Sequence, residues 1–149
     1  MNPIESYKGG NMDLDNTLGF ILGRVSRKVH YRLDEIFKAN DITIEQWVGL
    51  RMIDEEGPLC QKELADRMEK NQNTIKALID RLEAKGLVER TVNLQDKRNL
   101  ILTVTTGGKD LIRTLSPLEE KINETIEGAL TPRQVETCKA LLLKLEKKL

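Results

Sequence analysis

The strongest constraint on how this chain folds is a change of hydrophobic period in its second half. On both sides of the change, apolar residues recur every three or four positions, which is the spacing of one helix face. Residues 87–92 and 100–104 are instead short segments rich in β-branched side chains, and the polar segment 93–99 separates them. We therefore predict a β-hairpin with a long tip, inserted into an otherwise helical chain.

Glycine, proline and capping residues divide the helical pattern that precedes the hairpin. The first helix is predicted to span residues 13–39 as one long element, and the Gly-Pro pair at 57–58 ends the second. A short third helix leads to a fourth at residues 72–85, with Asn71 as its N-cap and Gly86 as its C-terminal stop. Two helices joined by a short turn are thus expected directly before the hairpin.

Two further helices follow the hairpin. The first is expected over residues 107–129, where Pro117 should kink or interrupt it because proline has no N–H for an internal hydrogen bond. Thr131 opens the last helix with a capping box, and its apolar residues have heptad spacing: Val135, Cys138, Leu142, Leu145 and Leu149. The helices at 13–39 and 107–149 carry more apolar surface than the small middle segment can cover. They predict a homodimer interface, with packing of the two ends on each other inside a monomer as the alternative.

Composition places the chain among single-domain globular proteins. It has 149 residues, of which 39% are hydrophobic. Its longest strictly apolar runs are about four residues, far below the ~20 that cross a bilayer, and residues 1–12 lack the features of an export signal. We expect a disordered lead-in over residues 1–12, a cytoplasmic location and no membrane partner. Two cysteines and one histidine cannot supply a closed four-ligand zinc site, and no cofactor is expected.

The zero net charge hides an uneven distribution. Residues 34–58 carry two basic and seven acidic side chains, whereas residues 70–98 carry seven basic and four acidic ones. A second basic stretch, residues 16–33, has four basic side chains and no acid. The segment around the hairpin can therefore face an anionic partner although the whole chain is neutral.

Residues 61–82 fit a helix-turn-helix, and the hairpin behind it makes the winged variant. Leu64, Met68, Ile75 and Leu78 are predicted to form the core between the two helices, with Ala65 allowing close approach. Hydrogen-bonding and basic residues then occupy the second helix, where side chains reach base edges in the DNA major groove: Asn71, Gln72, Asn73, Thr74, Lys76 and Arg81. The alternative is that Asn71 and Thr74 only cap the helix and the others form a solvated face.

The predicted hairpin tip favours DNA binding over that alternative. Asp96, Lys97 and Arg98 place two cations beside the basic helix, in a position to enter a minor groove. We expect double-stranded DNA as the partner. A winged helix used only as a protein-interaction module remains the rival hypothesis, because the fold need not touch DNA.

At these residues the chain resembles the multiple-antibiotic-resistance regulator (MarR) family of bacterial transcription factors. The resemblance covers residues 13–149 and is most specific in the pair Leu64-Ala65, the run 79–90, the wing 96–98 and the segment 102–108. It implies a fold that is mainly α with a small β-hairpin wing: a winged helix-turn-helix at 61–85, a wing at 87–104 and flanking dimerisation helices.

The resemblance also implies how such a protein works. It implies a transcriptional regulator, expected to be a repressor, that binds a palindromic operator as a homodimer. Arg98 would be the minor-groove arginine and Asp96 its orienting carboxylate. Lys70 and Ala77 depart from the family pattern, which leaves the base-reading residues and the operator sequence open.

The resemblance further implies a small anionic or phenolic effector, bound between the dimer helices and the winged domain. The candidates to line that pocket are His30, Tyr31, Trp47 and Arg51. The alternative, which the residue types favour, is that Trp47 is plain core and Arg51 a surface residue.

Cys60 precedes the third helix at a position where a capping box would have serine. A thiol there faces the positive end of the helix dipole, which favours the reactive thiolate and suggests a redox sensor. The alternative is a poor cap or a small buried residue, and Cys138 is expected to be inert core. An enzyme is disfavoured, because the sequence has no recognisable catalytic motif.

Overall fold

Helices and one small sheet make up the part of the chain that the computed structural model describes, residues 14–96 and 98–149. After a 3-10 turn at Leu14–Asn16, the elements in chain order are α1 (Leu18–Lys38), α2 (Ile44–Glu56), β1 (Leu59–Cys60), α3 (Gln61–Met68), α4 (Gln72–Ala84), β2 (Val88–Val92), β3 (Leu100–Val104), α5 (Thr106–Gly128) and α6 (Pro132–Glu146). The predicted fold class is therefore confirmed. The predicted lead-in, residues 1–12, and Lys97 lie outside the described residues.

The sheet contains the predicted hairpin and one strand that was not predicted. β2 and β3 pair antiparallel from Val88 opposite Val104 to Val92 opposite Leu100. β1 adds to the other side of β3, which gives the order β1-β3-β2. The extra strand ties the segment before α3 to the base of the wing.

The core lies where α2, α3, α4 and the sheet meet. Leu50, Leu64, Ile75, Ile79 and Leu82 have no exposed surface. The predicted contact between α3 and α4 is confirmed, with Ala65 and Leu78 also buried and Met68 packed at the edge. This core fixes the orientation of α4 relative to the wing.

The turn from α4 to the wing also follows the prediction. Gly86 has φ +73°, a left-handed conformation that favours glycine. Its N–H donates to the carbonyl of Glu83, and the N–H of Leu87 donates to the carbonyl of Leu82. These bonds end α4 and start β2 within a few residues.

The terminal helices depart from the prediction in three places. The helix α1 begins only at Leu18, after the 3-10 turn, and the Thr17 hydroxyl between them donates to the carbonyl of Leu14 rather than capping α1. Pro117 does not interrupt α5, since Leu115 is fully buried and Leu118 packs on the core, which holds the helix on both sides of the proline. Cys138 is exposed in the protomer rather than core.

α6 packs little against the rest of the chain, which explains the exposure of Cys138. Val135 is the only buried residue of α6, which the structure describes throughout. The alternative in which the two ends of the chain pack on each other inside a monomer is met in part, because α5 packs against α1, whereas α6 stays largely uncovered. The uncovered apolar side chains of the terminal helices include Leu18, Phe20, Val25, Leu141, Leu142 and Leu143.

Within the described ranges, each helix is too short or too polar to cross a membrane.

Candidate nucleic-acid interface

α3 and α4 are joined by a short turn whose geometry is set by two residues. Glu69 has φ +54° and ends α3 in the left-handed conformation. Asn71 then caps α4, because its side-chain oxygen accepts a hydrogen bond from the N–H of Thr74 at 2.8 Å. The predicted cap is confirmed. The first residues of α4, which follow this turn, are exposed.

The solvent side of α4 consists of two neighbouring strips of side chains. Gln72, Lys76 and Asp80 recur every four residues along one strip, and Asn73, Ala77 and Arg81 do so along the other. All six are exposed, as are Asn71 and Thr74. The opposite side of the helix supplies Ile75, Leu78, Ile79 and Leu82 to the core. The DNA-binding candidates on α4 thus share one surface.

Asp96 organises the tip of the wing. One carboxylate oxygen, Oδ1, accepts from the backbone N–H of Arg98 at 3.1 Å and from its guanidinium Nε at 3.4 Å. The other oxygen accepts from the side-chain amide of Asn99 at 3.1 Å. The Arg98 side chain is nevertheless 93% exposed. Asp96 therefore folds the loop while Arg98 projects from it.

A groove of about 230 Å³ lies between the start of α4 and the wing. It is lined from α3 by Lys62, from α4 by Gln72 and from the wing by Arg98 and Asn99. Cys60 also lines it. Cys60 stands at the N-cap of α3, half-buried, and its side chain makes no capping hydrogen bond.

Sequence reasoning missed a charged network that joins the wing to α4. Arg90 on β2 donates to Asp80 at 2.6 Å and to Glu83 at 3.1 Å. Lys76 donates to the second carboxylate oxygen of Asp80 at 3.1 Å. The Arg90 guanidinium, and after it the Lys76 ammonium, hold the pKa of the Asp80 carboxyl below its usual value. The sequence does contain a sign of this network, since the acidic residues Asp80 and Glu83 precede the predicted Gly86 turn and the basic residue Arg90 follows it.

Two of the four candidates for an effector pocket, Trp47 and Arg51, lie together. Trp47 is buried in the core, where its ring lies 5.2 Å from that of Phe37 and its indole N–H donates to Glu119 on α5. The Arg51 guanidinium lies 5.5 Å from the Trp47 ring centroid and donates to Ser116 at 3.3 Å.

His30 and Tyr31 are exposed on α1, Tyr31 to 64%. A separate groove of about 180 Å³ lies between α1 and α5. It is lined by two cations, Lys28 and Arg32, together with Val29, Thr125, Ile122 and Ile126. In the described ranges, no three His, Cys, Asp or Glu side chains cluster closely enough to hold a metal ion.

Comparison with known proteins decides the family. A family model described as the MarR family matches residues 42–100. The HTH-type transcriptional repressor NicR of Pseudomonas putida is 31% identical over 124 residues, which cover 78% of this chain and 78% of NicR. The chain belongs to the MarR family. It is therefore a DNA-binding transcriptional regulator with a winged helix, and since its relatives are regulators, the enzyme class is excluded.

Solved structures agree with this assignment. The S. aureus MepR–DNA complex matches with a TM-score of 0.82 and 26% identity, covering 89% of this chain and 98% of MepR. A mutant of Escherichia coli MarR complexed with operator DNA matches with a TM-score of 0.81 and 27% identity, covering 92% of this chain and 99% of MarR. Both similarities cover far more of the chain than residues 42–100.

Proposed function

We propose that this MarR-family protein is a repressor that binds an inverted-repeat operator as a homodimer, with one winged helix on each half-site. The observation that carries the proposal is the shared groove in which Gln72 of α4 and Arg98 of the wing face the same opening. A major-groove helix and a minor-groove arginine must lie side by side to bind one stretch of duplex. The predicted set on α4 and the wing, from Asn71 to Arg98, supplies the donors.

The exposed terminal helices support the homodimer. Leu141, Leu142 and Leu143 on α6 and Leu18 and Phe20 near the start of α1 leave apolar side chains in solvent. Large apolar side chains left exposed on helices that the rest of the chain does not cover are typical of an interface in soluble proteins. A second copy is the occupant we propose, because a two-fold dimer covers the same surface on both partners and presents two identical winged helices.

The repressor role and the effector rest on a relative and on a second groove. NicR carries the word repressor in its name. The groove between α1 and α5 combines Lys28 and Arg32 with an apolar floor, which suits a small anionic or phenolic compound. We favour this groove over a pocket built from His30, Tyr31, Trp47 and Arg51, because Trp47 is buried in the core with Arg51 against its ring, whereas His30 and Tyr31 are exposed on α1.

The decisive experiment is selection of bound duplexes from a random-sequence pool, followed by spacing variants of the selected site. We expect an inverted repeat with half-sites about one helical turn, ~10 bp, apart. Inserting five base pairs between the half-sites should abolish high-affinity binding, because one half-site then lies on the opposite face of the duplex.

As a matched control, a duplex with altered base pairs between the half-sites but the same spacing should retain binding. Unchanged affinity after the five-base-pair insertion would refute the symmetric arrangement. Failure to enrich any duplex would favour the protein-interaction module.

A further inference from the structure

Arg90 holds two carboxylates of α4 from the neighbouring strand. Its two terminal nitrogens donate separately to Asp80 and Glu83, at 2.6 and 3.1 Å. The side chain is only 16% exposed, so its position is fixed by packing as well as by charge. Such two-pronged binding of carboxylates is typical of arginine, whose planar fork presents several donors at once.

Lys76 shares Asp80 with Arg90 but is held far less firmly. Its ammonium makes a single contact with the second oxygen of Asp80, at 3.1 Å, and its side chain is 63% exposed. An exposed ion pair between residues four apart on a helix stabilises the fold very little. Lys76 can therefore exchange this carboxylate for another anion at small cost.

The cost of this exchange depends on whether Asp80 keeps a cation after Lys76 leaves. With Arg90 in place, the carboxylate keeps a close cation after Lys76 leaves. Without Arg90, release of Lys76 would leave Asp80 and Glu83 unpaired on the helix that faces DNA. Two bare carboxylates near a phosphate backbone oppose binding by like-charge repulsion.

We propose that Arg90 is a positioning residue for DNA binding, which neutralises Asp80 so that Lys76 can leave it for a DNA phosphate. The inference rests on the proposed function, because it requires that the exposed side of α4 faces DNA. Arg90 also lines the groove shared by Gln72 and Arg98, but both of its terminal nitrogens are engaged by Asp80 and Glu83. Its effect on affinity passes through Lys76, which distinguishes it from a residue that only stabilises the wing.

A double-mutant cycle between Arg90 and Lys76 tests the proposal with the full chain. Affinity for mixed-sequence duplex DNA is measured by fluorescence anisotropy over a salt series. Arg90→Gln should weaken binding about tenfold, within the range of coupled charged neighbours, and lower the salt slope by about one per protomer. In the Lys76→Gln background the same change should cost less than about twofold. Equal losses in both backgrounds would overturn the proposal.

Removal of the carboxylate supplies a second test. The double variant Asp80→Asn, Arg90→Gln should recover most of the affinity lost in Arg90→Gln, because no anion remains to retain Lys76. A purely structural role for Arg90 predicts no recovery, and that result would refute the inference. Arg113→Gln is the matched control, since Arg113 forms an exposed pair with Asp110 on α5 and its side chain is 78% exposed. It should bind DNA like the wild type.

Two further measurements keep the test decisive. Circular dichroism shows whether Arg90→Gln is folded at the assay temperature. If it is not, Asp80→Asn alone carries the test: it should bind at least as tightly as the wild type, and weaker binding would overturn the inference. If the wild type binds no duplex, the proposed function fails as well. If the wild type binds but the effects of the Arg90 and Lys76 substitutions are additive, only the role proposed for Arg90 is refuted.

Discussion

Gly108→Ala is expected to destabilise the fold, because the start of α5 has no room for a methyl group. A Cβ atom at this position would lie 2.3 Å from the carbonyl oxygen of Leu87 and 2.6 Å from Cγ1 of Val104. Ordinary contacts need about 3.5 Å. The oxygen cannot move freely, since it accepts a hydrogen bond from the N–H of Thr105 at 3.1 Å. The substitution must therefore shift α5 away from the turn between α4 and β2.

The magnitude follows from two opposing effects. Overpacking of this kind costs about 1–3 kcal/mol, while the preference of a helix for alanine over glycine returns up to ~1 kcal/mol. The middle of the resulting range is a net loss of about 1–2 kcal/mol, which lowers the Tm of a chain of this length by roughly 2–8 °C. Gly128→Ala is the matched control, because it lies at the other end of the same helix with no atom within 4 Å of its Cβ. It should leave the Tm unchanged or slightly raised.

Thermal unfolding by circular dichroism measures both variants against the wild type. All three are compared at one protein concentration, because the Tm of a dimer depends on concentration. A Gly108→Ala chain that melts with the wild type would refute the close approach described here. An equal fall in both variants would attribute the loss to glycine as such rather than to the contact.

Three further predictions concern the DNA, the dimer and the thiol. Arg98→Ala should weaken duplex binding about tenfold while leaving the melting curve unchanged, because the side chain is almost fully exposed; an unchanged Kd in anisotropy titrations would contradict the role of the wing. Leu142→Glu should convert a particle of twice the 17.0 kDa chain mass into monomers in analytical ultracentrifugation, and a wild type that sediments as a monomer would contradict the dimer. Mild peroxide should lower DNA affinity reversibly through Cys60, and Cys60→Ser should abolish the effect; a response that persists in this variant would remove Cys60 as the sensor.

Features set by neighbouring residues could be predicted from the sequence. Asn71 caps α4, Gly86 ends it, and Thr131 opens α6 with its capping box, all as predicted. Each depends on side chains and backbone angles within about one helical turn. The hairpin could also be predicted from the sequence, because its two strands are neighbours along the chain and are joined by one loop.

Features that depend on elements brought together by the fold could not be predicted in the same way. β1 has two residues, too few to show a period, and only its pairing with β3 makes it a strand. The contact of Arg90 with Asp80 spans ten positions and depends on how β2 packs on α4.

Tertiary packing also explains why two expectations for the terminal helices differ from the structure. Pro117 removes a helical hydrogen bond, but α5 continues because Leu115 and Leu118 anchor it on either side. The heptad stripe that includes Cys138 marks an apolar face without saying whether the same chain or a second copy covers it. The prediction that Cys138 is inert core rested on this stripe, and within the protomer the residue is exposed.

The salt dependence of duplex binding tests the central claim most directly. A homodimer that engages a phosphate through Lys76 on each half-site releases counterions at two places at least. The plot of log Kobs, the observed association constant, against log salt concentration should therefore be linear with a slope of about −1.8 or steeper. Lys76→Ala should reduce the slope by about one per protomer. Binding that is absent, or that does not change with salt, would contradict a regulator that holds DNA with two winged helices.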